Sequence, residues 1–191
     1  MKSVLVLVAL VGSSVLFLGC PMCNCPDTVP YTRWNEFALL PDEASYVADA
    51  DSLNFTLEVI EIEYLAQESR KTYGGDAAMA CSCAENGWNG FKYPLDSVRF
   101  TTRSDWDADH PAGSSLNDII QYFDYNYSGL GPAQWVDFDD PTVLRGYEYE
   151  YFFNFRFTAG PAVLGNYEVE ATIYYSNGAS LEGQSMTMTI Q

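Results

Sequence analysis

From Tyr147 to Phe157 every second residue is aromatic: Tyr147, Tyr149, Tyr151, Phe153, Phe155 and Phe157 fall on one face, with Glu148, Glu150, Asn154 and Arg156 on the other. A period of two belongs to a half-buried β-strand, because successive side chains of an extended chain point to opposite sides. The same alternation returns in Tyr167, Val169, Ala171, Ile173 and Tyr175, then again in Met186, Met188 and Ile190. Between these runs stands Ser176-Asn177-Gly178. Asn-Gly between alternating segments is the strongest short-range hairpin signal, since both residues tolerate the positive φ that the tight turn requires. A terminal hairpin pairing 167–176 with 179–190 is therefore expected.

Upstream, Leu53, Phe55, Leu57 and Val59 alternate, after which the phase slips to Ile60, Ile62 and Tyr64. One residue of slip inside a long strand predicts a β-bulge near Val59-Ile60. Val98 and Phe100 mark a short strand over Ser97 to Thr102. Residues 20–50 carry Pro21, Pro26, Pro30 and Pro41 in a weakly patterned acidic stretch, which reads as a tether and irregular lead-in with at most an edge strand around Val29 to Trp34. One segment has helical spacing instead. Leu116, Ile119, Ile120 and Phe123 fall at i, i+3, i+4 and i+7, and Ser115 with Asp118 forms an acidic variant of the capping box, predicting a short α-helix near 115–123.

The N-terminus has a different logic. Lys2 precedes an apolar run from Val4 to Leu18 that is shorter than the roughly 20 residues a membrane helix needs. A basic start and a short apolar stretch read as a signal peptide over residues 1–19. The stretch Leu16-Phe17-Leu18-Gly19-Cys20 resembles the lipobox of bacterial lipoproteins. That resemblance implies a mature chain beginning at a lipid-modified Cys20, anchored by acyl chains at about 0.8 kcal/mol per buried methylene. It further implies a cell-envelope location, and because Pro21 is not the aspartate that retains enteric lipoproteins in the inner membrane, the outer membrane is the expected one. A soluble secreted protein and an uncleaved N-terminal anchor are the alternatives. With 26 acids against 9 bases the chain carries a formal charge of −17, which repels nucleic acid and anionic head groups.

Four further cysteines stand as Cys23-Asn24-Cys25 and Cys81-Ser82-Cys83. In extended chain, side chains two residues apart share a face at about 6.6 Å spacing, so two such segments side by side can form two cross-links. An oxidising compartment favours disulfides, and the first bridge could contribute about 4 kcal/mol by restricting the unfolded chain. Two connectivities between the segments remain open, and a four-thiolate zinc site is the rival, although structural zinc usually takes wider spacings.

Catalytic motifs are scarce. The single histidine, His110, lies in an acidic loop and reads as a solvated side chain, and no nucleophile elbow, zincin helix or phosphate-binding glycine loop is present. Asp105, Asp107 and Asp109 alternate in one loop, a pattern suited to Ca²⁺, although the EF-hand glycine and bidentate glutamate are missing. An acidic surface loop is the plainer reading. Trp34, Trp88, Trp106 and Trp135 fall in or near expected loops, where exposed indoles could form a stacking platform for sugars or peptides; burial in the core is the alternative.

The closing strands resemble the end of an immunoglobulin-like β-sandwich, over roughly the last 45 residues and without the cysteine and tryptophan spacing of true immunoglobulin domains. More loosely, the whole chain resembles small Gram-negative envelope lipoproteins of a domain-of-unknown-function family. The expectation is a mainly β, antiparallel sandwich over 51–191 with one short helix. Its expected role is non-enzymatic, binding or structural, with the membrane and an envelope protein or a glycan as partners. A carbohydrate-binding or glycan-processing accessory is the alternative.

Overall fold

From Phe153 onward every inward residue of the three alternating C-terminal runs is buried, with polar neighbours half-buried or exposed, while Tyr151 ahead of them is exposed. The computed structural model describes residues 29–47, 53–66, 86–87, 89–125, 132–139, 144 and 151–191. Within them the strands are β1 (Tyr31–Pro41), β2 (Asn54–Leu65), β3 (Leu95–Thr102), β4 (Ile120–Asp124), β5 (Gln134–Asp137), β6 (Phe152–Phe157), β7 (Gly165–Tyr175), β8 (Ser180–Glu182) and β9 (Met186–Ile190). They form two antiparallel sheets, one in the order β1-β2-β6-β4-β5, the other built on β7 with β3 on one side and β8 and β9 on the other.

The sheets share one core. Phe55 of the first sheet meets Phe100 of the second edge-on at 5.7 Å, and Phe100 meets Phe155 at 5.3 Å. Around them Leu57, Phe153, Phe157, Val169, Ile173 and Met188 are fully buried. Edge-to-face rings gain from their quadrupoles beyond the area they bury.

The terminal hairpin forms around Asn177-Gly178, with Gly178 at φ +83°. Its return strand is interrupted, so that Ile173 faces Leu181 in β8 but Val169 faces Met186 in β9, a register one residue longer. The cause lies in β1. Gly183, at the interruption, packs so closely on Phe37 that a Cβ there would come within 2.2 Å of the ring. Beside it Gln184 N–H donates to the Phe37 carbonyl at 2.9 Å and Leu39 N–H to the Gln184 carbonyl at 3.0 Å. The edge of the first sheet is thereby joined to the edge of the second. On the opposite side, residues 115–117 close the free edge of β3: Leu116 N–H donates to the Phe100 carbonyl, and the Asn117 side chain takes the Phe100 N–H and donates to the Val98 carbonyl.

The bulge in β2 falls where the phase slip puts it. Ile62 pairs with Trp34, Glu61 with Glu36 and Val59 with Phe37, leaving Ile60 and its counterpart Asn35 unpaired and Ile60 outward.

One expectation is corrected. No α-helix forms near 115–123: residues Asn117–Ile119 make a single 3-10 turn and Ile120–Asp124 is a strand. The spacing of Leu116, Ile120 and Tyr122 serves a strand as well, and the Ser115–Asp118 box does not close, since the Ser115 hydroxyl bonds Asn117 and Asp118 turns to His110. The edge strand expected around Val29 to Trp34 runs further than expected: β1 is the edge of the five-stranded sheet and spans 11 residues, with Phe37, Ala38 and Leu39 in the core. The signal peptide, Cys20, the other four cysteines and Trp88 lie outside the described residues.

Replacing Gly183 with alanine drives a methyl into the buried Phe37 ring. Such overpacking costs about 1–3 kcal/mol, and urea unfolding of Gly183→Ala is expected to show a lowered midpoint at unchanged slope.

Candidate functional site

The loop between β3 and β4 gathers Asp105, Asp107, Asp109, His110 and Asp118. Asp107 organises it: its Oδ1 accepts the backbone N–H groups of Asp109 and His110, each at 2.8 Å, and lies 2.8 Å from His110 Nδ1. The other ring nitrogen, Nε2, faces the Asp118 carboxylate at 3.1 Å. Asp105 in turn accepts the Ala112 N–H at 2.8 Å. Short side-chain acceptors that capture backbone donors two or three residues on are how Asp residues fix tight loops.

His110 is thus not the solvated side chain expected from sequence: it is only 9% exposed and is held between two carboxylates. Asp118 first, then Asp107, raises its pKa above the ordinary histidine value, against the opposing pull of burial. Burial works to raise Asp107, yet the hydrogen bonds from the His110 ring and from the two backbone amides prevail and its pKa lies below the usual carboxylate value. The Asp107-x-x-His110 spacing was the available signal; reading the loop for metal ligands hid it. Asp105 and Asp107 spend an oxygen each on backbone donors, and among the described residues no three His, Cys, Asp or Glu side chains form a group that could hold a metal ion.

The three described tryptophans, Trp34, Trp106 and Trp135, are not brought together as a platform. Trp34 is 5% exposed, pointing inward from β1 against Phe91 and Phe153. Trp106 is wholly buried: it stacks on Phe157 at 4.5 Å, and its indole N–H donates to the Ala159 carbonyl at 3.1 Å, which satisfies the one polar atom that would otherwise resist burial. Neither indole can offer a face to a ligand.

Trp135 is different. It lies partly exposed on β5, opposite Phe123 of β4 at 5.0 Å, and Phe123 meets the exposed Tyr125 at 4.8 Å. The Arg156 guanidinium sits 4.7 Å over the Trp135 ring and donates twice to the Gln121 carbonyl oxygen, at 3.0 and 2.9 Å. Gln121 donates onward to Asp137 at 3.0 Å, and Asn154 bonds both Thr56 and the Tyr125 hydroxyl. This places aromatic rings and planar polar groups side by side on the outer face of the five-stranded sheet. Sequence reasoning missed it because a helical reading of 115–123 puts Phe123 in the core with Leu116, whereas in the strand it points the other way from Tyr122.

Comparison with family models, with curated proteins and with solved structures gives no match.

The loop's charges fix a pH dependence. A raised His110 pKa contributes stability that is fully present below about 6.5 and lost as pH rises through the folded value; a depressed Asp107 contributes above about 3.9 and is lost as pH falls through its folded value. The thermal midpoint of the protein is therefore expected to exceed that of His110→Gln most between about pH 4 and 6.5, the gap narrowing toward pH 8. Millimolar calcium is expected to leave the midpoint where it is, because Asp105 and Asp107 each spend one oxygen on backbone donors and no three acidic side chains among the described residues form a group that could hold the ion.

Proposed function

We propose that the chain is a lipid-anchored cell-envelope lipoprotein whose β domain has the immunoglobulin-like topology and serves a non-enzymatic, binding or structural role. The observation that carries the anchor is the sequence Leu16-Phe17-Leu18-Gly19-Cys20 behind a short apolar run. For the topology, the support is the strand order. An immunoglobulin constant-type sandwich puts its first, second, fifth and fourth strands on one sheet and its third, sixth and seventh on the other. Counting β5 as an extra strand after the fourth, β1-β2-β6-β4 and β3-β7-β8/β9 follow that order. Tyr167, near the start of β7, sends its hydroxyl back to the Val163 carbonyl at 2.5 Å, the local bond of a tyrosine corner.

The non-enzymatic role is favoured by the state of the one histidine. Both of its ring nitrogens face carboxylates inside a loop it helps to hold, which leaves it no free lone pair for general-base work. The domain also has a direction. β1 begins at Tyr31, paired with Leu65, while the His110 loop and the β6–β7 connection sit at the far ends of the strands. A chain tethered through its N-terminus holds that far end away from the bilayer, and a partner in the envelope would meet it there.

A second reading, a carbohydrate-binding accessory, draws on the Phe123, Tyr125, Trp135 and Arg156 group. Rings that stack on sugar faces, next to amides and a carboxylate that bond hydroxyls, suit a glycan. Trp135→Ala would abolish binding of envelope glycan fragments in calorimetry if this reading holds.

The anchor itself is tested by fractionation. Cys20→Ala is expected to move the protein from the detergent-extracted membrane fraction to the soluble fraction, with loss of incorporated labelled palmitate. Unchanged membrane retention would remove the lipoprotein reading.

A further inference from the structure

The single histidine of the chain meets a carboxylate at each end of its ring, and the two carboxylates are held very differently. Asp107 Oδ1 stands 2.8 Å from Nδ1 and is fixed there by two further donors, the backbone N–H groups of Asp109 and His110, each at 2.8 Å. Asp118 lies on the 3-10 turn that leads into β4, with its two oxygens 3.2 and 3.1 Å from Nε2. Its side chain is 70% exposed, and the carboxylate has no other partner among the described residues.

A doubly protonated imidazole has an N–H for each carboxylate, whereas a neutral one has a single N–H and a lone pair. The lone pair cannot face Asp107, because the two amides pin that oxygen at contact distance and would hold lone pair against lone pair. It can face Asp118, which is free to turn into water. We propose that His110 is a pH-operated latch between the β3–β4 loop and the turn before β4: with a proton on both ring nitrogens it clasps Asp118, and loss of the Nε2 proton to water releases Asp118 while Nδ1–H keeps its bond to Asp107.

Release is local. The chain between the two residues stays on β3, since Gly113 N–H donates to the Thr102 carbonyl at 2.8 Å, Leu116 N–H to that of Phe100 at 2.9 Å, and the Asn117 side chain holds Val98 and Phe100. What changes is the surface: the loop gains one net negative charge and a carboxylate free of the ring. Asp107 and Asp118 are the charged groups that act on His110, and together, Asp118 most, they set the latch on the alkaline side of an ordinary histidine. On the same loop Asp105 accepts the Ala112 N–H and Asp109 is exposed. From β3, Arg99 donates to the Gly113 carbonyl and Arg103 pairs with Glu168 and Glu170. The β6–β7 connection, residues 158–164, has no titratable side chain.

The test is a pH titration of the full-length protein in detergent, without a histidine tag and isotope-labelled at the histidine ring nitrogens and the aspartate carboxyl carbons, read by nuclear magnetic resonance. With one histidine in the chain, every ring signal belongs to His110. Both nitrogens are expected to show protonated-type shifts at about pH 5, below the ordinary histidine pKa. As the pH rises, Nε2 alone is expected to change to the unprotonated type, giving the tautomer opposite to the one a histidine free in water favours. The Asp118 carboxyl-carbon signal, assigned by its loss in Asp118→Asn, is expected to move at the same midpoint. Asp118→Asn is expected to lower the His110 midpoint yet leave the neutral ring in the Nδ1–H form, because Asp107 still selects it. A neutral ring in the Nε2–H form, an Asp118 signal indifferent to the His110 transition, or an Asp118→Asn midpoint equal to that of the unsubstituted protein would each overturn the latch.

Discussion

The contact between Phe55, Phe100 and Phe155 is what makes two sheets one structure. Phe55 and Phe155 stack at 5.4 Å on neighbouring strands of the first sheet, and Phe100 of the second inserts edge-on against both. All three are fully buried. Truncating a buried phenylalanine to alanine costs about 3–5 kcal/mol, a large share of the roughly 5–15 kcal/mol that holds a domain folded. Phe138 on Phe155, Phe157 on Phe55 and Trp106 on Phe157 extend the seam toward the β3–β4 loop. The position of that loop, and of the clamped His110 within it, thus depends on the aromatic seam as much as on its own hydrogen bonds.

Closing the two sides completes the design. A two-sheet fold whose edges stay open presents unpaired amides to other chains. Here β1 pairs along the first sheet and then bonds Gln184, joining the sheets on one side, while Asn117 spends its amide on β3 on the other. Close approach at Gly183 is the condition for the first closure, because only a residue without a side chain lets Phe37 fill the core beneath the interrupted strand.

Strands were legible in the sequence wherever alternation ran unbroken, as in β6, β7 and β9, and the Asn177-Gly178 turn and the Val59-Ile60 bulge were legible from local chemistry and phase. β1 was legible only at its start, because Asn35 and Glu36 break its phase opposite the β2 bulge, and a broken period looks irregular. Residues 115–123 were misread because Leu116, Ile119, Ile120 and Phe123 satisfy a helical period by coincidence; the decision belongs to Asn117, whose amide is claimed by the backbone of β3. Of the candidate site residues, Trp34 and Trp106 were not separable by sequence from exposed loop aromatics, since burial of an indole depends on a distant acceptor such as the Ala159 carbonyl. The pairing of His110 with Asp118 was hidden for the same reason. It exists only once β4 follows directly from the closed edge of β3.

If the aromatic seam unites the sheets, their amides should lose protection together. Native-state hydrogen exchange across a denaturant series is the most direct measurement. The slowest amides of β2 and β6 are expected to converge with those of β3 and β7 on one opening free energy, equal to that of global unfolding. A second sheet that opens as a separate, weaker unit while the first stays protected would contradict the account.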